Sequence, residues 1–146
     1  KVIPRGHLVA KKRPMQRSES ALVFSQQSPV YFPIMEKREK PIKGKEGART
    51  TIMGGESKGF SATYTHKYPV NILVFKPDRG KLHPTQKPVA LFEYLIKTYT
   101  QPGATVLDNC AGSGTTGAAC DNTGRRFVLI EREKEYCEII KKRVAR

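Results

Sequence analysis

The chain has 146 residues, the length of one ordinary domain, and its 27 lysines and arginines against 13 aspartates and glutamates leave a net charge of +14. This excess favours a polyanionic partner, nucleic acid before a membrane surface, since no apolar run approaches the roughly 18 residues of a spanning helix. The three cysteines are odd in number and widely spaced, which argues against a disulfide framework or a CxxC metal site and is typical of a reducing cytoplasm.

The sequence of residues 1–80 predicts little regular secondary structure. A short apolar run at residues 20–25 is typical of a buried strand. From residue 26 to about residue 79, prolines, glycines and a charged patch interrupt the pattern, which predicts loops or a small appended subdomain. Within that stretch, the apolar residues at 70–75 predict one further strand.

Residues 82–146 predict a regular alternation of helices and strands, because apolar residues recur there first at helical spacing and then in short buried runs. The predicted elements are a helix at 88–100, a strand at 105–108, a helix at 115–121, a strand at 126–131 and a helix from 133 to the end. This order is typical of a doubly wound parallel sheet, so we expect an α/β fold.

A glycine-rich loop follows the strand that ends at Asp108. Residues 112–117, Gly-Ser-Gly-Thr-Thr-Gly, match G-x-G-x-x-G. Such glycines let a ligand approach the backbone N–H groups at the positive end of a helix. Glu131 ends the next predicted strand, where a carboxylate can accept hydrogen bonds from both ribose hydroxyls. The spacing therefore predicts a ligand that contains adenosine.

Two other interpretations of this loop are open. The glycines could serve packing alone, in a tight strand-to-helix turn. NAD is the sharper rival, since the literal motif is that of dinucleotide-binding domains, and an NAD-binding oxidoreductase fragment is the least favoured function. Against NAD, only one helix follows Glu131, and Asp108 sets a carboxylate where a pyrophosphate would lie, although it suits the ammonium group of a methionine.

A polar turn, His83-Pro84-Thr85-Gln86-Lys87-Pro88, introduces the helix before the glycine strand. With the D-x-x-x-G-x-G-T-T loop at 108–116, it resembles the amino-methylating DNA methyltransferases, which act on adenine N6 or cytosine N4. The likeness is closest to the permuted class in which the cofactor half comes last, as in phage and restriction-modification enzymes. It implies part of a class I S-adenosylmethionine-dependent methyltransferase fold, with a doubly wound, mainly parallel sheet.

The resemblance also divides the chain. Residues 1–25 would be a strand-bearing segment of the methyltransferase sheet, residues 26–80 a basic, loop-rich target-recognition region, and residues 81–146 the S-adenosylmethionine-binding half. Double-stranded DNA is the implied partner, and basic side chains would contact its phosphates. These side chains are Lys11, Lys12, Arg13, Arg17, Lys37, Arg38, Lys40, Lys43, Lys45 and Arg49.

The same resemblance implies roles around the methyl donor. Asp108 and the backbone of residues 110–114 would surround its methionine part, Glu131 would hold the ribose, and Arg132 would flank the adenine. Residues 85–87 would close over the methionine carboxylate, with the compact charge of a lysine. The expected cofactor-binding residues are His83, Pro84, Thr85, Gln86, Lys87, Asp108, Asn109, Cys110, Ala111, Gly112, Ser113, Gly114, Thr115, Thr116, Glu131 and Arg132.

Two residues of this set have reactive side chains, but the sequence gives neither a chemical role. His83 is interpreted as a turn residue that fixes the backbone rather than as a proton carrier. Cys110 is interpreted as a small packing residue, because no histidine lies near it in sequence and amino methylation needs no covalent adduct. Neither a metal nor a membrane is expected.

The catalytic motif of the resembled family, Asp, Asn or Ser followed by Pro-Pro and an aromatic residue, is missing, since the sequence contains no Pro-Pro pair. Residues 28–31, Ser-Pro-Val-Tyr, only imitate it. We therefore expect no catalytic residue here. Because the chain begins with Lys1, we expect it to be a C-terminal fragment whose N-terminal catalytic half lies elsewhere, in the same gene or in a partner chain.

The expected function is transfer of the methyl group of S-adenosylmethionine to an exocyclic amino nitrogen of DNA, N6 of adenine in preference to N4 of cytosine. The complete protein would be a site-specific enzyme of the cytoplasm of a bacterial or phage-infected cell, and this fragment alone would be inactive. The alternative is a catalytically inactive DNA- or cofactor-binding module that needs a partner chain.

Overall fold

The computed structural model describes residues 18–44, 62–80 and 82–145. Its elements, in chain order, are β1 (Glu36–Lys43), β2 (Thr63–Lys67), α1 (Val89–Tyr99), β3 (Thr105–Asp108), α2 (Thr115–Asn122), β4 (Arg126–Leu129) and α3 (Lys134–Val144). From α1 onward they agree with the predicted elements to within about two residues, so this part of the α/β prediction is confirmed. No helix in the described ranges is long and apolar enough to cross a membrane.

The α/β unit is built on a parallel pair of strands. β3 and β4 run side by side, with Val106 opposite Phe127 and Asp108 opposite Leu129, and α2 forms the connection between them. Because strand side chains alternate, Val106 and Phe127 point to one face, where they pack against a core centred on Ile96, Ala119 and Cys120. The core therefore lies between the inner face of this sheet and helices α1 and α2.

The outer face of the same sheet is bare in this chain. Leu107 is 64% exposed, and Val128 and Ile130 are about half exposed. Parallel sheets are ordinarily covered on both faces, because their strands are apolar on both sides. The β3–β4 sheet therefore has an apolar surface that nothing in the described part of the chain covers.

The other two strands form an antiparallel hairpin. Lys37 lies opposite His66 and Ile42 opposite Tyr64, with an irregularity in β1 between the two pairs. Nearly every residue of both strands is exposed, and neither strand packs against another of the described helices or strands. For this stretch we predicted loops or a small appended subdomain, and the hairpin is more regular than loops alone.

Two predicted strands are wrong. Residues 20–25 form no strand, and Phe24 is 85% exposed, so the described part of the segment 1–25 contributes nothing to a sheet. Residues 70–75 likewise form no strand, and Val74 is 89% exposed. A strand needs the backbone hydrogen bonds of a neighbour, and no strand of the described ranges pairs with either segment. Residues 1–17 lie outside the described residues.

Candidate cofactor site

The glycine loop connects β3 to α2 and has two backbone positions that only glycine adopts easily. Gly112 and Gly114 have φ angles of 53° and 78°. A Cβ on Gly114 would lie 3.0 Å from Ile140 Cγ1 of α3, and one on Gly117 would lie 2.7 Å from Leu129 Cδ1. Gly114 is therefore favoured both by its backbone angle and by packing, and Gly117 by packing, whereas Gly112 faces the imidazole ring of His83.

Asp108 fixes the start of the loop from the end of β3. Its Oδ1 accepts a hydrogen bond of 3.0 Å from the backbone N–H of Cys110, and its Oδ2 accepts one from the Thr116 hydroxyl. The carboxylate is partly buried, and it joins the strand end to the first turn of α2. Its negative charge therefore lies at the mouth of the loop.

Glu131 lies against the other side of the loop. Its carboxylate accepts hydrogen bonds from the backbone N–H groups of Gly112 at 2.7 Å, Arg132 at 2.8 Å and Glu133 at 3.0 Å. These N–H groups, that of Glu133 first and that of Gly112 next, lower the pKa of Glu131 below its usual value. The side chain is therefore ionised at neutral pH and held beside Gly112.

The turn at 83–88 is organised by the His83 ring. Its Nδ1 accepts a hydrogen bond of 3.2 Å from the backbone N–H of Thr85 and lies 3.0 Å from the Thr85 hydroxyl. The ring packs on Tyr136 of α3, with 4.5 Å between ring centroids. These contacts fix the backbone of the turn and place the imidazole over Gly112.

Gln86 ties this turn to the glycine loop. Its Oε1 accepts a 3.2 Å hydrogen bond from the Ser113 hydroxyl, and its Nε2 donates one of 3.3 Å to Asp78. Asp78 also accepts a 3.1 Å hydrogen bond from the backbone N–H of Val89, the first residue of α1. Asp78 thus caps the helix from outside it, since the proline at the N-cap position has no capping side chain.

Lys87 brings a positive charge to the same place. Its ammonium group forms an ion pair with Glu19, and both side chains are a little under half exposed. An exposed pair of this kind contributes little to stability. The pair leaves Lys87 in the lining of the pocket described next.

One pocket collects most of the predicted cofactor residues. Its lining consists of His83, Thr85, Gln86, Lys87, Phe92, Asp108, Cys110, Ala111, Gly112, Ser113, Thr115 and Thr116. The structure therefore brings the turn and the glycine loop, which are separated by a helix and a strand, around a single cavity.

Five predicted cofactor residues are not part of the pocket lining. Glu131 borders it through its bond to Gly112. Pro84 and Asn109 are exposed and Gly114 faces α3, so none of them is in the lining. The Arg132 side chain is 93% exposed and pairs with Glu133 at 2.9 Å.

Sequence reasoning missed two aromatic residues of the site. Phe92 lines the pocket and Tyr136 supports the His83 ring, although the sequence motifs include neither residue. For Phe92, its place one turn into the helix that follows the polar turn is the signal that could have indicated this role.

The basic residues predicted to contact DNA fall into two groups. Lys37, Arg38, Lys40 and Lys43 lie on β1 of the hairpin, where the Nε of Arg38 donates a 3.1 Å hydrogen bond to the backbone carbonyl of His66. The others lie outside the described residues: Lys11, Lys12, Arg13, Arg17, Lys45 and Arg49. Within the described ranges, no three His, Cys, Asp or Glu side chains are grouped so that they could hold a metal ion.

A family model matches most of the chain. The family model of N6/N4 DNA methylases matches residues 5–142. The type II methyltransferase M2.DpnII of Streptococcus pneumoniae is 50% identical over 62 residues, which are 42% of this chain and 23% of that protein. The type II methyltransferase M2.LlaDCHI of Lactococcus lactis subsp. cremoris is 47% identical over 62 residues, with the same coverage of 42% and 23%.

A solved structure extends the comparison to three dimensions. The cytosine-N4-specific PvuII DNA methyltransferase matches 53% of this chain and 32% of its own, with a TM-score of 0.50 and 26% sequence identity. The fold is that of the class I methyltransferases, here in part. The matched region spans only 23% of the length of the two curated relatives.

Proposed function

Because the chain belongs to the N6/N4 DNA methylase family, we propose that it forms the S-adenosylmethionine-binding part of an enzyme that methylates an exocyclic amino group in double-stranded DNA. The observation that carries this proposal is the meeting of the turn at 83–88 and the glycine loop at 109–114 around one pocket. A dinucleotide site needs the loop but not the turn, so their combination favours the methyl donor over NAD.

The residues around the pocket fit the chemical groups of this cofactor. Glu131, ionised beside Gly112, can accept hydrogen bonds from the ribose hydroxyls. Asp108 offers a carboxylate to the methionine ammonium group and Lys87 a cation to the methionine carboxylate. Since Lys87 pairs with Glu19 in the structure, the cofactor carboxylate would replace a carboxylate of the protein there.

The bound cofactor supplies a methyl group activated by a positively charged sulfur. The part of this chain is to bind and orient that group, which lowers the entropic cost of in-line transfer to the amine. We propose that the residues that present the base lie outside this chain, because it has no Pro-Pro motif and matches 23% of the curated relatives. N6 of adenine is the proposed acceptor, ahead of N4 of cytosine.

The uncovered outer face of the β3–β4 sheet also supports a catalytic half that lies outside this chain. Leu107, Val128 and Ile130 would be covered by the catalytic half of the enzyme, which would complete the second layer of the sheet. As part of this proposal, residues 26–80 keep the role of the target-recognition region and residues 81–146 that of the S-adenosylmethionine-binding half.

The hairpin is the proposed DNA-binding surface. A two-stranded ribbon fits the width of the major groove, and an isolated hairpin is only marginally stable unless it packs against something. Lys37, Arg38, Lys40 and Lys43 give β1 a basic character, and no other described helix or strand covers it. We also propose the cytoplasm of a bacterial or phage-infected cell as the location in which the protein would meet a DNA substrate.

Two measurements on the complete protein test the proposed function. Calorimetric titration is expected to show binding of S-adenosylhomocysteine and none of NAD. Nucleoside analysis of DNA incubated with the protein and S-adenosylmethionine is expected to show N6-methyladenine. Tight NAD binding without S-adenosylhomocysteine binding would contradict the proposal, and cofactor binding without any methylated base would instead identify an inactive binding module.

A further inference from the structure

The last turn of α3 reaches the back of the glycine loop through one side chain, Arg143. Its Nη1 donates a 3.0 Å hydrogen bond to the backbone carbonyl of Ser113 and lies 3.3 Å from the Ser113 hydroxyl and 3.5 Å from the Thr115 hydroxyl. Ser113 is only 3% exposed and Arg143 is half-buried, so these contacts are partly shielded from water. One guanidinium group therefore fixes both the backbone and the side chain of a residue in the loop.

Ser113 passes this constraint to the opposite wall of the pocket. A hydroxyl can accept one hydrogen bond and donate another, and that of Ser113 donates to Gln86 at 3.2 Å. Gln86 in turn is held by Asp78, which caps α1. A continuous chain of hydrogen bonds thus runs from α3 through the glycine loop to the turn at 83–88.

The neighbours of Arg143 separate this contact from a general effect of charge. Lys141, Lys142 and Arg143 all lie in the last turn of α3, where the helix dipole favours cations. Lys141 pairs with Glu138 at 2.7 Å, and Lys142 is exposed. Of these three, Arg143 is the one that contacts the loop, and Ile140 on the same helix lies close enough to Gly114 to keep the two elements in contact.

We propose that Arg143 is a positioning residue for the cofactor site. By holding Ser113, it keeps the glycine loop and Gln86 at the spacing that the cofactor requires. The inference rests on the proposed function, because it concerns the same pocket, but it assigns a residue on the far side of the loop that does not line that pocket. Its effect is on cofactor affinity rather than on the chemical step.

The test uses the complete protein with three substitutions, Arg143→Met, Arg143→Lys and, as the matched control, Lys142→Met. Arg143→Met is expected to raise both the Kd of S-adenosylhomocysteine and the KM of S-adenosylmethionine about tenfold, the scale of losing a partly buried charge-assisted hydrogen bond. At saturating cofactor, kcat should stay within about twofold of the wild-type value, because the interaction contributes equally to the ground state and the transition state. Arg143→Lys should recover most of the affinity, and Lys142→Met should leave it unchanged.

A fourth variant, Ser113→Ala, keeps the test decisive if Arg143→Met does not fold. It removes the hydroxyl that links Arg143 to Gln86, and it should raise the Kd in the same direction by a smaller factor. Wild-type affinity in both Arg143→Met and Ser113→Ala would overturn the inference. It would also be overturned if Arg143→Met lost kcat and thermal stability together and Arg143→Lys restored neither. A wild-type protein that binds no S-adenosylhomocysteine would instead contradict the proposed function.

Discussion

The two parts of this chain are held in shape by different means. In residues 82–145, Ile96, Ala119 and Cys120 are buried, and hydrogen bonds from Asp108, Glu131 and the turn at 83–88 fix the loop. In residues 18–44 and 62–80, apolar and charged side chains alike are mostly exposed, and the hairpin touches no other described helix or strand. The first part carries its own core, whereas the second has few buried side chains and contacts α1 of the first through Phe32, Tyr31 and Phe75.

The largest expected difference between the two parts is in stability. Ile96→Ala should lower the free energy of unfolding by about 2–5 kcal/mol, because it leaves a cavity among α1, α2 and the sheet. Val74→Ala, at a side chain that is 89% exposed, should change it by less than about 0.5 kcal/mol. Chemical denaturation of the 146-residue chain measures both. Equal effects on the free energy of unfolding would show that the distinction between a part with a buried core and a mostly exposed part is wrong.

Repeating the pair in the complete protein would sharpen the comparison. If the catalytic half covers residues 70–75, Val74→Ala should lower the free energy of unfolding by more in the complete protein than in the isolated chain. The effect of Ile96→Ala should be similar in both. An unchanged value for Val74→Ala would argue against burial of this segment by the rest of the enzyme.

A smaller effect is expected at the cofactor pocket. Glu131→Ala in the complete protein should weaken binding of S-adenosylhomocysteine by about 1–3 kcal/mol, the scale of charge-assisted hydrogen bonds to ribose. Glu135→Ala, an exposed carboxylate in the first turn of α3, is the control and should leave affinity unchanged. Unaltered affinity in Glu131→Ala would show that this carboxylate only holds the backbone of residues 112, 132 and 133.

The smallest effect per residue is expected on the hairpin. Replacing Lys37 and Lys43 with alanine should weaken DNA binding and reduce the slope of log affinity against log salt by about 0.9 for each lost phosphate contact. Cofactor affinity should not change, because the hairpin contacts no element of the pocket. The measurement is a DNA-binding titration at several salt concentrations, with Lys142→Ala as the control. A salt slope equal to that of the wild type would exclude the hairpin from the DNA interface.

The same division explains which predictions from sequence succeeded. The helices and strands from Val89 onward follow local periodicity, and each finds its partner nearby, so their positions could be predicted. The apolar runs at 20–25 and 70–75 have the composition of strands, but pairing is a property of the neighbour and not of the run. The hairpin could not be predicted from the sequence, because charged residues and a proline interrupt any alternation of apolar and polar residues in β1.

The site was predicted in part for a related reason. Short motifs identified the turn at 83–88 and the loop at 109–114, and the structure places both at one pocket. The contacts of Asp78 and Arg143 could not be predicted, because a lone acid in a loop and a cation in the last turn of a helix each have an ordinary solvent-exposed explanation. Only the tertiary arrangement shows that they meet Gln86 and Ser113.

Hydrogen–deuterium exchange of the complete protein, with and without S-adenosylhomocysteine, tests most directly whether the turn and the loop form one methyl-donor site. Backbone amides of residues 83–88 and 109–114 should gain protection together as the ligand is added, while β1 and β2 remain unchanged. Protection of the loop by NAD, or of the loop without the turn, would contradict a shared site for S-adenosylmethionine.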